Sequence, residues 1–203
     1  MININKIEPR LTQLVWLNQL FKALLIILLG TSMASCGEDI RIWREEVKLL
    51  DGRVIVVTQK KRCEGAYTGG NYASCIAREA WLTINLPEFS KEPIIWHENL
   101  YPIVVNVYEG RLYLVGAFPT QREFKLYGQP THPYIAFVWK NQNWQPIPFK
   151  SILEAIYDIN MLLEATPSKE VRLLTLVEKE GPENNGDRRI SEESRRISAT
   201  KIW

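Results

Sequence analysis

The run IWREEVKLLDGRVIVVTQKK, residues 42–61, restricts the fold more than any other stretch of this 203-residue chain. Trp43, Glu45, Val47 and Leu49 alternate with Arg44, Glu46 and Lys48, and a period of two belongs to a strand whose two faces meet different surroundings. Asp51-Gly52 follows, a pair suited to the positive φ angles of a two-residue hairpin turn, and Val54–Val57 returns as a β-branched run. The spacing predicts an antiparallel hairpin.

The same grammar recurs downstream. Ile103–Tyr108 and Arg111–Phe118 flank Glu109-Gly110, and Tyr134–Lys140 and Trp144–Ile147 flank Asn141-Gln142-Asn143. Glu79–Leu86, Pro93–Glu98, Arg122–Tyr127 and Val171–Val177 read as further strands, with prolines at 87, 93, 102, 119, 130 and 133 marking the connections. Seven Trp and eight Tyr suit pleated surfaces. One helix is expected: Ser151 and Glu154 have capping-box spacing, Ile152, Ile156, Ile159 and Leu163 form one apolar stripe, and Pro167 stops it. The expected fold is therefore mainly β, an antiparallel meander of hairpins closed into a sandwich, barrel or bent sheet, with one packed α-helix.

Residues 1–35 have a different character. Lys6, Arg10 and Lys22 precede the apolar run Ala23–Gly30, and Thr31, Ser32, Ala34 and Ser35 lead to Cys36. Charged, apolar and small-residue regions in that order make a secretory signal. A membrane span is the alternative. It needs about 20 apolar residues, and reaching back to Leu14 for them puts Lys22 near the centre, at roughly 2.5–3.5 kcal/mol. The leader's three cations against one anion make up the chain's whole excess of +2, so the body is neutral. A neutral body lacks the basic surface that phosphate neutralisation demands, which argues against nucleic-acid binding.

Met33-Ala34-Ser35-Cys36 resembles the lipobox of bacterial lipoproteins, with Met33 where leucine is usual. The resemblance implies cleavage between Ser35 and Cys36 and acylation of Cys36, whose chains, at about 0.8 kcal/mol per buried CH₂, would hold the protein in a lipid bilayer. Gly37 after the cysteine, by the sorting pattern of enteric lipoproteins, implies the periplasmic face of the outer membrane. An uncleaved inner-membrane anchor is the alternative. The pattern Trp43-x-Glu45-x-Val47-x-Leu49-x-Asp51-Gly52-Arg53, with Pro133-Tyr134-x-x-Phe137, Trp144 and Pro148, also resembles a group of bacterial proteins with no assigned activity. That likeness implies a β fold and no mechanism.

Three cysteines are an odd number. If Cys36 carries lipid, Cys63 and Cys75 remain, separated by a glycine-rich loop. A disulfide is expected, worth on the order of 3 kcal/mol. Free thiols, or half of a metal site lacking its other ligands, are the alternatives. The division expected is a signal over 1–35, a periplasmic β-rich body over 36–180 and a polar tail over 181–203. Within the tail RRIS occurs twice, as a solvated charged face.

Catalytic patterns are thin: no nucleophile elbow, phosphate loop, metalloprotease motif or dinucleotide fingerprint occurs. His97 and Glu98 are strand neighbours and point to opposite faces, as do Glu45 and Glu46, so neither pair suits acid–base chemistry. His132 falls in a turn. Trp43, Trp81, Trp96, Trp139 and Trp144 read as packing residues before they read as a binding groove. No catalytic residue, metal or cofactor is expected. The expected function is a non-enzymatic binding or structural module of the cell envelope, engaging a protein partner by strand addition. The alternative is a periplasmic hydrolase whose site is scattered over loops, centred on His97.

Overall fold

The computed structural model describes residues 39–66, 74–163 and 170–180. The chain divides into units 1–37 and 38–203, and the described residues belong to the second. The leader with Ser35 and Cys36, the tail from 181 and Pro167 lie outside the described residues.

The protein is two consecutive meanders. β1 (Asp39–Lys48), β2 (Val54–Ala66), β3 (Ser74–Ile84) and β4 (Ile94–Glu98) pair in sequence order, all antiparallel. β5 (Tyr101–Tyr108), β6 (Arg111–Ala117), β7 (Tyr134–Lys140) and β8 (Asn143–Ile147) do the same in a second sheet. A two-residue strand, β9 (Leu173–Leu174), adds in parallel to β1, which completes the order β4-β3-β2-β1-β9.

The hairpins follow their turn residues. Glu109 and Gly110 take φ of 48° and 69°, and Asn141 and Gln142 take 53° and 59°, so both turns have positive φ at two central residues, the hand that matches strand twist. The β1–β2 connection differs from the expected two-residue turn. Only Gly52 has positive φ, at 89°, and the Gly52 N–H donates to the Leu49 carbonyl while the Leu49 N–H donates to the Arg53 carbonyl.

Alternation sets the core. Val47, Leu49, Val57, Leu82, Ile84, Ile94 and Trp96 of the first sheet meet Val105, Leu112, Leu114 and Phe137 of the second in one buried cluster. The link between β4 and β5 packs closely on β6 at Gly116, where a Cβ would stand 2.8 Å from Leu100 Cδ1. The opposite face of the second sheet is buried too, by Phe149, Ile152, Ile156 and Tyr157.

That covering segment is the expected helix, and it is not one. Phe149–Ser151 and Glu154–Ile156 are single 3₁₀ turns, and Ile152 and Leu153 between them are extended. Ser151 Oγ donates to the Pro148 carbonyl at 2.6 Å, closing the turn before it instead of capping a helix after it. Ile152 and Ile156 are buried as the stripe required, but against a flat sheet that two short turns cover as well as a helix would. The helices lie elsewhere. Arg122–Tyr127, expected as a strand, is mostly α1 (Gln121–Leu126), and Thr120 is its N-cap: Thr120 Oγ1 accepts from the Arg122 N–H and donates to Glu123. Val171–Val177 is strand only at β9 and then enters α2 (Leu176–Glu180).

The second sheet's β5 edge is closed by one residue. The Asn160 side chain accepts from the Val105 N–H at 3.1 Å and donates to the Val105 carbonyl at 2.7 Å, while its own N–H donates to the Ile103 carbonyl. At the other edge β8 carries Pro146, which has no N–H to offer.

Candidate functional site

The inward face of the first sheet changes character along its length. Val47, Leu49 and Val57 are apolar, but continuing the same inward rows brings Glu45 and Arg41 on β1 and Gln59 and Lys61 on β2, all buried. Burying polar groups is tolerated only if they find partners, and Glu45 finds several. Its carboxylate accepts from Gln59 Nε2 at 2.5 Å, Trp43 Nε1 at 3.2 Å and the Leu162 N–H at 3.0 Å. Lys179 of α2 pairs with it at 2.6 Å and donates also to the carbonyls of Glu46 and Asn160. Gln59 Nε2 reaches the Leu162 carbonyl as well, at 3.1 Å, whereas its Oε1 has no partner among the described residues.

Lys61 sits deeper toward the disulfide end. Its ammonium lies over the rings of Tyr101 and Trp43, 4.4 Å and 5.0 Å from their centroids, and donates to the Leu163 carbonyl. Desolvation pushes its pKa down to about 7, with Glu45 pulling upward and Arg41 adding to the depression. The aromatic faces and the carbonyl favour the charged form, so this lysine is held between opposing influences. Chemically the cluster fastens residues 160–163 and α2 onto the first sheet.

Cys63 and Cys75 lie at disulfide distance, Cα to Cα 5.0 Å, joining β2 to β3 beside Tyr101. Tyr101 Oη donates to the Cys75 carbonyl and accepts from the Ala77 N–H. Nearby, a bulge opposite Arg62 and Cys63 leaves Arg78 as the extra residue on β3. Arg78 bonds buried Glu123 of α1 at 2.7 Å and also pairs with Glu64.

The outward face of the first sheet carries the residue row Ile42, Lys60, Trp81 and His97, matched across β1 to β4 by register. His97 stacks on Trp81, centroids 4.4 Å apart and planes 13° apart, and Lys60 Nζ lies 4.5 Å from the same ring. Both faces of Trp81 are thus occupied by neighbours, so it offers no open platform for a sugar. His97 contacts Glu79 at 3.2 Å, not Glu98, whose carboxylate instead accepts from Tyr127 Oη at 2.5 Å. Arg62 bonds to Glu79 and holds its carboxyl below the usual range. His97 is half-exposed and lines neither the cavity at Pro130–Lys150 nor the one at Phe118–Phe124. Glu45 and Glu46 separate as alternation demands: Glu45 is buried, and Glu46 accepts from the Leu176 N–H on the other face.

Among the tryptophans, Trp43 and Trp96 are buried, and Trp139 and Trp144 form a cross-strand pair with centroids 5.4 Å apart. β4 ends the first sheet, and its outer edge pairs with no described strand. Ile95 on it is 57% exposed.

Neither a family model, nor a curated protein, nor a solved structure matches the chain.

Sequence reasoning passed over Gln59, Lys61, Asn160 and Lys179. The first two were within its reach, because counting by twos from Val57 toward Cys63 places both on the inward row.

Proposed function

We propose that this protein is an envelope lipoprotein: the leader is removed between Ser35 and Cys36, acylated Cys36 holds the chain to the periplasmic face of the outer membrane, and the β body binds an envelope protein without catalysing a reaction. The observation that carries this reading is the division of the cysteines. Cys63 and Cys75 stand at disulfide distance, so of three cysteines Cys36 is left with no cysteine to pair with. A disulfide suits an oxidising compartment, and the remaining thiol is the one that stands behind a lipobox-like sequence.

The binding mode fits the edges. β5 is closed by Asn160, β8 carries proline and β9 has two residues, whereas β4 presents a five-residue edge with exposed Ile95 and half-exposed His97. An extended segment of the partner adds to β4 by main-chain hydrogen bonds.

Intact mass spectrometry of the chain purified from membranes tests the anchor. A species beginning at Cys36 with added acyl mass is expected, and Cys36→Ser abolishes both processing and membrane retention. A chain retaining Met1 with no acyl mass overturns the reading.

A further inference from the structure

A cavity of about 330 Å³ lies at the end of the second sheet, where the loop before β7 meets the turn after β8. Its walls include Pro130, His132, Tyr134, Pro148, Phe149 and Lys150. The volume is at the lower end of the range for ligand pockets, so its occupant is small.

His132 is the unusual member. The residue is 7% exposed, and neither Nδ1 nor Nε2 has a hydrogen-bond partner among the described residues. A neutral imidazole carries one donor and one acceptor, and folded proteins leave few such groups buried without a partner. The ring is tilted against Phe149 with centroids 5.5 Å apart, and Tyr134 tilts against Phe149 at 5.4 Å. His132 forms part of the cavity wall with both ring nitrogens buried, so reaching a ligand requires the ring to turn toward the cavity.

The chemistry of the wall selects the ligand. Apolar and aromatic side chains dominate, which favours a planar ring over a hydrated polyol or phosphate. Lys150 is the one lysine of the wall, it is exposed, and it has no carboxylate partner among the described residues. We propose that this cavity is a binding site for a small aromatic carboxylate, its ring between the proline and aromatic walls, its carboxylate paired with Lys150 and accepting a hydrogen bond from His132.

The chain has two histidines, so His97→Gln leaves His132 as the only imidazole. The full chain carrying that change and ¹⁵N-labelled histidine is titrated with benzoate, benzyl alcohol and acetate while the ring nitrogens are followed by NMR. Benzoate is expected to shift the His132 resonances saturably, with benzyl alcohol and acetate each at least roughly tenfold weaker, since each lacks one half of the recognition. Replacing His132 risks loosening the packing around Phe149, so the deciding variant is exposed Lys150→Met, expected to weaken benzoate by about tenfold with the unliganded spectrum unchanged. No saturable shift up to millimolar benzoate overturns the proposal. So does equal affinity for the three probes, or unaltered benzoate affinity in Lys150→Met.

Discussion

Replacing Lys61 with methionine is expected to flatten the rise of stability with pH above neutrality. The side chain is 1% exposed, and burial pushes its pKa from 10.5 down to about 7, against the upward pull of Glu45 and together with Arg41. The folded value lies below the unfolded one. Between about pH 7 and pH 10.5 the unfolded chain therefore holds a proton that the folded chain has released, and stability rises with pH across that window. Below it both states are protonated and above it neither is, so the contribution is level at each end. The slope approaches ~1.4 kcal/mol per pH unit, and the gap between 10.5 and about 7 sets a ceiling of roughly 5 kcal/mol. Tyr101, Trp43 and the Leu163 carbonyl all stabilise the ammonium, so the measured rise falls below that ceiling. Methionine keeps the length and the apolar stem and removes the titration. Urea unfolding followed by tryptophan fluorescence, repeated from about pH 6 to about pH 10.5, gives both curves. Subtracting the variant's curve from the parent's removes titrations common to both. If that difference stays constant within about 0.5 kcal/mol across the window, the account of Lys61 is refuted.

Glu45→Ala removes the charge partner of Lys179, itself 9% exposed, which keeps only its two carbonyls, and takes away the acceptor of the Leu162 N–H and one of the two acceptors of Gln59 Nε2. A loss of about 3–5 kcal/mol in urea unfolding is expected, with hydrogen exchange at Leu162 rising more than in β6. Removing the bridge by a Cys63→Ala, Cys75→Ala double change lowers stability by about 3 kcal/mol, because it frees the loop of 12-residue separation in the unfolded chain. Reductant should destabilise the parent by the same amount and leave the double variant unaffected.

The hairpins were legible because their information is local. A turn pair that tolerates positive φ and an alternating run on either side are close in sequence, and Glu109-Gly110 turns as read, whereas the loop expected over Asn141-Gln142-Asn143 turns on Asn141 and Gln142 alone, with Asn143 already in β8. The helix reading failed where two local codes compete. Ser151 and Glu154 have capping-box spacing, but Ser151 Oγ is spent on Pro148, and the apolar stripe is satisfied by burial on a sheet already in place. Thr120 and Glu123 have the same spacing, and Thr120 does cap a helix, one of six residues, too short for any periodicity to announce. The polar cluster was half legible. Glu45, Gln59 and Lys61 share inward rows that alternation alone assigns. Asn160 and Lys179 meet their partners across 55 and 133 residues of chain, a relation that only the folded topology creates.

The amide of Asn160 has a consequence for crowding. Bonded to both main-chain groups of Val105, it imitates one peptide unit of a neighbouring strand and then stops. A second molecule arriving at that margin meets donors and acceptors already spoken for, while the far margin offers a proline-interrupted border. Growth of the second sheet from molecule to molecule, the route to fibrils, is hindered at Val105 on one border and at Pro146 on the other. Copies held side by side at high local density can touch there without fusing.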